Sequence, residues 1–182
     1  PYGRLSGFAR VNRAITDGLT RRGWTVRVFA TDEPTTRVPR EPLPDVYLFH
    51  GHPYDLTNAP GRVNVFYLSY DYARFVAADR WLSSRLNAHF DLLMVPSTFS
   101  RSAARRSGVR IPIVVCPYGA DAQEFHLPDT ARASGQPFTF LALGGATERK
   151  GTDVAVRAFA REFRGDPRVR LHIKAFSYDH LL

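Results

Sequence analysis

The sequence predicts an α/β protein built on mostly parallel strands, and three observations support this class. Strand-like and helix-like apolar periodicities alternate along the 182 residues. Two short runs, LLMV at 92–95 and IVVC at 113–116, are continuously apolar, as is typical of parallel strands covered on both faces. The composition, 44% hydrophobic and 23% charged, is that of a globular chain and excludes a disordered one.

The elements before residue 120 alternate in type. Strands are predicted at 24–30, 45–49, 63–68, 91–95 and 113–116. Helices are predicted from about Phe8 to Gly23 with Ser6 as its cap, from about Phe75 to Phe90, and from a Ser97 cap to just before Gly108. Strands separated by helices indicate a parallel sheet.

A polar segment rich in small residues, 121–137, predicts a linker between residues 1–120 and residues 138–182. A second strand–loop–helix–strand unit follows it. Its strands are predicted at 138–143 and 169–175, its loop at 144–151, and its helix from Thr152 to about Phe163. The crossover is expected to be right-handed.

The formal charge of +8 comes almost entirely from arginine, as is typical of a high-GC bacterial genome. A basic chain also keeps open a binding module for nucleic acid or an anionic membrane surface. The densest group, Arg101, Arg105, Arg106 and Arg110, has no interleaved aromatic residue to stack on bases, so it is first interpreted as a solvated helix face.

Several classes of protein lose support. A single cysteine excludes a disulfide framework and an all-cysteine zinc site, and it favours a reducing compartment. Cys116 lies in an apolar run, which predicts a buried thiol and not a nucleophile. No G-x-S-x-G elbow supports a serine hydrolase, and no apolar run has the length of a membrane span.

Two glycine-bearing turns stand at predicted helix starts. Segment 144–152, GGATERKGT, places Arg149 and Lys150 beside backbone N–H groups, which suits a phosphate. It is not a Walker A motif, because Lys150 precedes Gly151, and a solvated structural loop is an equally good interpretation. The turn GRLSG at 3–7 could approach a phosphate or a sugar closely, or could be an ordinary tight turn.

Other polar groups follow predicted strands. His50 and His52 project to one side of an extended segment, but a zinc site needs three or four ligands, so contacts to an acceptor or loop packing are favoured. Asp71 could reach the ligand cleft or cap the following helix. Gly119 lies in a turn that could present amides to the cleft or serve as a hinge.

Taken together, these segments resemble glycosyltransferases of the GT-B fold, in particular the retaining enzymes of family 4. The likeness is carried by DLLMVPSTFS at 91–100, SGVRIPIVVCPYGAD at 107–121, FTFLALGGATERKGTDVAVRA at 138–158 and VRLHIK at 169–174. It implies two Rossmann-like domains with parallel sheets, the second incomplete and the first strand missing. Residues 1–120 would form the acceptor-side domain, and residues 138–182 the start of the domain that binds the nucleotide-sugar.

The resemblance implies transfer of a sugar from a nucleotide diphosphate-sugar to a hydroxyl acceptor with retention of configuration. It assigns the donor diphosphate to Arg149, Lys150 and Gly145, and the family's glycine-rich loop to Gly3, Ser6 and Gly7. Acceptor-side candidates are His50, His52, Tyr70 and Gly119, and Asp71 is the candidate catalytic group. Fixed cations would stabilise the leaving diphosphate as an oxocarbenium-like transition state forms.

The sequence departs from the family pattern at two points. Tyr118 stands where many members have Asn, and the acidic E-x7-E motif would lie beyond residue 182, so the 182-residue chain alone is not expected to be competent. A non-catalytic family member is the remaining alternative. No cofactor or essential metal is expected, because basic groups replace the metal.

The acceptor implied is a saccharide, a lipid-linked molecule or a small molecule, with no nucleic acid as partner. The implied location is the cytoplasm, with peripheral contact to the inner face of the membrane if the acceptor is a lipid.

Overall fold

The structure is a computed structural model that describes residues 7–29, 43–53, 59–125, 135–145 and 150–176. These residues fall into two compact units, one ending at Asp121 and the other beginning at Ala122. The predictions made for Gly3, Ser6 and Arg149, and for most of the linker, lie outside the described ranges.

Four parallel strands form one sheet in the described part of the first unit. They are β1 (Val46–Phe49), β2 (Val63–Tyr67), β3 (Leu92–Val95) and β4 (Ile113–Val115), in the spatial order β1-β2-β3-β4. The helices are α1 (Gly7–Thr20), α2 (Arg80–His89) and α3 (Thr98–Arg106), with α2 between β2 and β3 and α3 between β3 and β4. The predicted α/β class with a parallel sheet is confirmed.

The core lies around the middle of this sheet. Val65, Phe66 and Tyr67 are consecutive and all buried, so both faces of β2 are covered. Leu82 and Leu86 of α2 are fully buried in the same cluster. Burial of a side chain of that size contributes about 1.5–3 kcal/mol to folding.

Helix α3 begins as its sequence predicts. The Ser97 hydroxyl oxygen accepts a hydrogen bond from the Ser100 amide at 3.1 Å, which satisfies one unpaired N–H of the first turn. Its arginines are not merely solvated, however. Arg105 donates to the Val109 carbonyl at 2.8 Å and Arg106 to the Ala73 carbonyl at 3.0 Å, so two members of the basic group bind the backbone of neighbouring loops.

Two early predictions are wrong. Residues 24–29 form no strand, and their alternating side chains Trp24 and Val28 are exposed. Apolar alternation makes a strand only where a neighbouring ladder and a covered face are supplied. The second helix begins at Arg80 and not near Phe75, because a 3₁₀ turn at Ala77–Asp79 precedes it.

The second unit contains a parallel pair of strands, β5 (Phe138–Gly145) and β6 (Val169–Phe176), joined through helix α4 (Thr152–Glu162). Phe140 packs against Phe159 and Phe163, with ring centroids 6.0 and 5.5 Å apart. Strand β5 runs through Gly145, two residues farther than predicted. Within the described ranges, we find no helix with the length and apolar content needed to cross a membrane.

Candidate functional site

A cluster of aromatic and polar side chains lies at the carboxyl edge of the first unit's sheet. Its members, the His50 cluster, are Phe8, Asn12, His50, Tyr67 and Tyr118. His50 directly follows β1, Tyr67 ends β2, and Tyr118 lies just beyond β4, while α1 contributes the other two. The carboxyl edge of an open parallel sheet is where such proteins bind ligands.

The rings pack on His50 from several directions. Its centroid lies 5.2 Å from that of Phe8, 4.9 Å from that of Tyr67 and 5.9 Å from that of Tyr118. The two tyrosine rings are 5.1 Å apart. Phe8 and Asn12 are one helical turn apart and therefore share one face of α1. His50 is consequently half-buried in an aromatic wall.

Asn12 determines which ring nitrogen of His50 carries the proton. The Asn12 Nδ2 group donates to the His50 carbonyl oxygen at 3.2 Å. A carbonyl oxygen only accepts, so the amide cannot be turned the other way, and Asn12 Oδ1 faces the His50 ring. Because Oδ1 also only accepts, its hydrogen bond with His50 Nδ1 requires a proton on Nδ1.

The other ring nitrogen then acts as an acceptor. In the neutral imidazole Nε2 has a lone pair, and the Tyr118 hydroxyl donates to it at 3.0 Å. Burial raises the pKa of Tyr118, and a hydrogen bond from the Ser69 hydroxyl opposes that rise. Tyr118, His50 and Asn12 therefore form a chain in which each group donates to the next.

The titratable members of the cluster are uncharged at neutral pH. Burial lowers the pKa of His50 to about 4. Burial, reinforced by Cys116 and Tyr118, raises the pKa of Tyr67, whose hydroxyl donates to the Cys116 carbonyl at 2.5 Å. Cys116 itself is only half-buried and lies just outside β4, so the thiol is less enclosed than predicted. The cluster offers neutral hydrogen-bonding groups on aromatic surface.

The structure separates the two histidines of the HGH segment. His50 turns into the cluster, whereas His52 is exposed. Among the residues that the structure describes, no group of three or more His, Cys, Asp or Glu side chains is placed to hold a metal ion.

The candidates after β2 and β4 have different surroundings. The Tyr70 hydroxyl is engaged with Asp79 and with the Val76 amide, both at 2.8 Å. Asp71 is exposed and does not cap α2, because the cap position of that helix is Asp79. Gly119 is exposed beside Tyr118.

Three candidates remain among the described residues: Gly7 of the glycine-rich loop, and Gly145 and Lys150 of the donor-diphosphate group. Gly7 begins α1, one residue before Phe8 of the cluster. In the second unit, Gly145 ends β5, and Lys150 precedes the α4 cap, Gly151, which has a φ of +65°. A Cβ placed on Gly144 would lie 3.5 Å from Lys150 Cγ and Cδ, so the lysine stem lies over that glycine.

The start of α4 combines a cation with the backbone N–H groups of the helix's first turn. The Lys150 side chain is exposed at the end of β5, directly before the helix. Asp153 in the first turn forms an ion pair of 2.5 Å with Arg157, so the negative charge of Asp153 is neutralised within the helix. Backbone donors, the positive end of the helix and an ammonium group together suit an anion.

Sequence reasoning missed most of the His50 cluster. Asn12 and Tyr67 were not candidates, and Tyr118 stood out only as a departure from a family pattern. A detectable signal was present: Phe8 and Asn12 share a helical face, and both tyrosines follow apolar strand runs. Comparisons of the chain with protein-family models, with curated proteins and with solved structures found no match.

Proposed function

We propose that the protein is a retaining glycosyltransferase of the GT-B type, which moves a sugar from a nucleotide diphosphate-sugar to a hydroxyl acceptor. The observation that carries the proposal is the position of Lys150, whose stem lies over Gly144 at the end of β5 and which directly precedes the start of α4. A diphosphate held there would meet an ammonium group and backbone N–H donors. The resemblance of residues 138–158 to the family supports the same role.

Cleavage of the bond between sugar and phosphate moves negative charge onto the leaving diphosphate. A cation already in position stabilises that charge without reorganisation, so Lys150 would act mainly on the transition state. Arg149 is the second cation in the sequence-based proposal. In this family the leaving phosphate is proposed to take the acceptor proton, so no protein base is required, and Asp71 remains a candidate for sugar contact.

The acceptor side is assigned to the first unit, where neutral hydrogen-bonding groups and aromatic rings line the sheet edge. A pair of Rossmann-like domains belongs to the same proposal, and the parallel strands of each unit support it. The cytoplasmic location and the absence of an essential metal are further parts of it.

Thermal unfolding in the presence of UDP, GDP, ADP or dTDP, each with and without EDTA, tests the donor site. We expect one nucleotide to raise the melting temperature in a manner insensitive to EDTA, because a ligand that binds only the native state stabilises it. Lys150→Ala should abolish the rise. The control is Arg170→Ala, which removes one positive charge from the opposite end of β6, where Arg170 pairs with Thr139, and should keep the rise.

Equal protection of the Lys150 and Arg170 variants would show that Lys150 is not part of the site, and no protection by any nucleotide would overturn the proposal. Binding that weakens steeply with salt and ignores nucleotide identity would favour the basic binding module instead.

A further inference from the structure

The exposed end of the His50 hydrogen-bond chain has a defined polarity. Tyr118 uses its single hydroxyl proton to reach His50 Nε2. The capacity left on the Tyr118 hydroxyl is therefore that of an acceptor. Tyr118 is 39% exposed, so part of the residue is accessible from solvent.

The direction of these hydrogen bonds is set by Asn12, at the inner end of the hydrogen-bond chain. Asn12 requires the proton on His50 Nδ1, which makes Nε2 an acceptor and so commits the Tyr118 proton. If Nε2 carried the proton instead, it would donate to Tyr118, and Tyr118 would be able to donate to a ligand. Asn12 thus acts on the ligand through two intervening residues.

We propose that the Asn12–His50–Tyr118 chain makes the edge of the first unit selective for a hydroxyl-bearing ligand of the sugar or polyol class, with Tyr118 as the specificity-determining residue and Asn12 as the positioning residue. The ligand class follows from the polarity: a hydroxyl donates to Tyr118, whereas a carboxylate or phosphate only accepts and meets oxygen lone pairs. The partly exposed ring of Tyr118, which packs on the buried Tyr67, supplies apolar surface beside that hydroxyl.

The inference deepens the acceptor side of the proposed function and rests on it for the substrate class. The electrostatics of the cluster agree with the inference. Because burial keeps His50 neutral, the cluster contains no cation that would attract an anionic sugar. A carboxylate or phosphate group is accordingly disfavoured in contact with the Tyr118 oxygen, even though the chain as a whole carries a formal charge of +8.

Nitrogen-15 NMR of the imidazole rings in the whole chain tests the polarity. His50 is assigned by the signals that disappear in His50→Gln. We expect a protonated Nδ1 and an unprotonated Nε2 at neutral pH, and a mixture of tautomers in Asn12→Leu. Tyr118→Phe should keep the Nδ1 proton, because Asn12 still holds it. A proton on Nε2 in the unmodified chain, or an unchanged tautomer in Asn12→Leu, would refute the inference.

Saturation-transfer NMR tests the ligand class, with the methyl glycosides of glucose, galactose and mannose, and glycerol, as probes. At least one probe should bind, and Tyr118→Phe should weaken that binding about tenfold, because the ligand hydroxyl loses its acceptor. The exposed Tyr72→Phe serves as control and should leave the affinity unchanged. No binding by any probe, or equal binding to Tyr118→Phe, would contradict the inference.

The proposed transferase function and the proposed hydroxyl site can be refuted independently of each other. Glycoside binding without nucleotide protection would keep the hydroxyl site and remove the transferase. Nucleotide protection without glycoside binding would keep the donor site and remove the hydroxyl site.

Discussion

The Tyr70 hydroxyl donates a hydrogen bond of 2.8 Å to the Asp79 carboxylate and accepts one of 2.8 Å from the Val76 amide. It thereby ties together both ends of the segment between β2 and α2. Asp79 is only 8% exposed, although it carries a carboxylate. Tyr70 therefore has a structural role whether or not its ring also contacts a ligand.

Replacing Tyr70 with Phe should destabilise the protein by about 1–3 kcal/mol, because a buried carboxylate and an amide each lose a partner. Urea unfolding measures the change. Tyr72→Phe, at a side chain that is 53% exposed, is the matched control and should change stability by less than about 0.5 kcal/mol. Equal effects of the two substitutions would show that the Tyr70 hydroxyl contributes nothing.

Gly61 is required by close backbone approach. A Cβ there would lie 2.7 Å from both Tyr47 Cβ and the Val63 carbonyl oxygen. Asn64 additionally holds the Gly61 peptide through two hydrogen bonds, of 2.8 and 3.0 Å. Gly61→Ala should therefore cost about 2–3 kcal/mol through overpacking.

The control for that substitution is Gly119→Ala, since a Cβ at Gly119 meets nothing within 4 Å. Its expected change lies within about 0.5 kcal/mol. Differential scanning calorimetry compares the two variants. A melting temperature of Gly61→Ala equal to that of the unmodified chain would contradict the close approach.

His50 should make stability fall in mild acid. Burial lowers its pKa to about 4, below the ordinary 6.5, so the unfolded chain binds the proton first. The native state is then disfavoured progressively as pH falls from about 6.5, and the loss is complete below about 4. After allowance for its partial exposure, we expect a loss of about 1–2 kcal/mol.

Urea unfolding at several pH values, carried out on the unmodified chain and on His50→Gln, checks this dependence. The loss of stability in acid that comes from His50 should be absent in His50→Gln. The titratable groups that face His50 are the phenols of Tyr67 and Tyr118, which stay protonated throughout this range. Parallel pH profiles for the two proteins would assign the acid sensitivity to other groups.

Ser97→Ala should destabilise the protein by about 1 kcal/mol, because α3 loses the hydroxyl that accepts from the Ser100 amide. Ser102→Ala in the same helix is the control. Ser102 is exposed, and alanine is the better helix former, so stability should stay constant or rise slightly. Thermal unfolding followed by circular dichroism distinguishes the two, and similar losses in both would rule out a specific cap.

Local patterns were sufficient for most of the fold. The runs at 92–95 and 113–116 and the cap at Ser97 were found because their signals lie within a few neighbouring residues. The segment 24–29 failed for the opposite reason: its alternation is clear, but a strand needs a partner that lies elsewhere in the chain.

The candidate site was predictable only in part. His50 was found because it follows an apolar strand, yet its partners Asn12 and Tyr118 lie 38 and 68 residues away along the chain. No spacing rule connects such positions in a single sequence. The tautomer of His50 depends on one amide orientation, which becomes visible only when the carbonyl beside it is known.

The long sequence separations within the His50 cluster have a further consequence. The contacts Asn12–His50, Tyr67–Cys116 and His50–Tyr118 span 38, 49 and 68 residues, so none survives in a chain that has only its local helices. A collapsed state with loose packing would keep its far-ultraviolet circular dichroism but lose its near-ultraviolet signal, to which Tyr67 and Tyr118 contribute along with the chain's other aromatic residues. The near-ultraviolet spectrum thus distinguishes the native protein, in which these contacts are formed, from a molten globule without any added label.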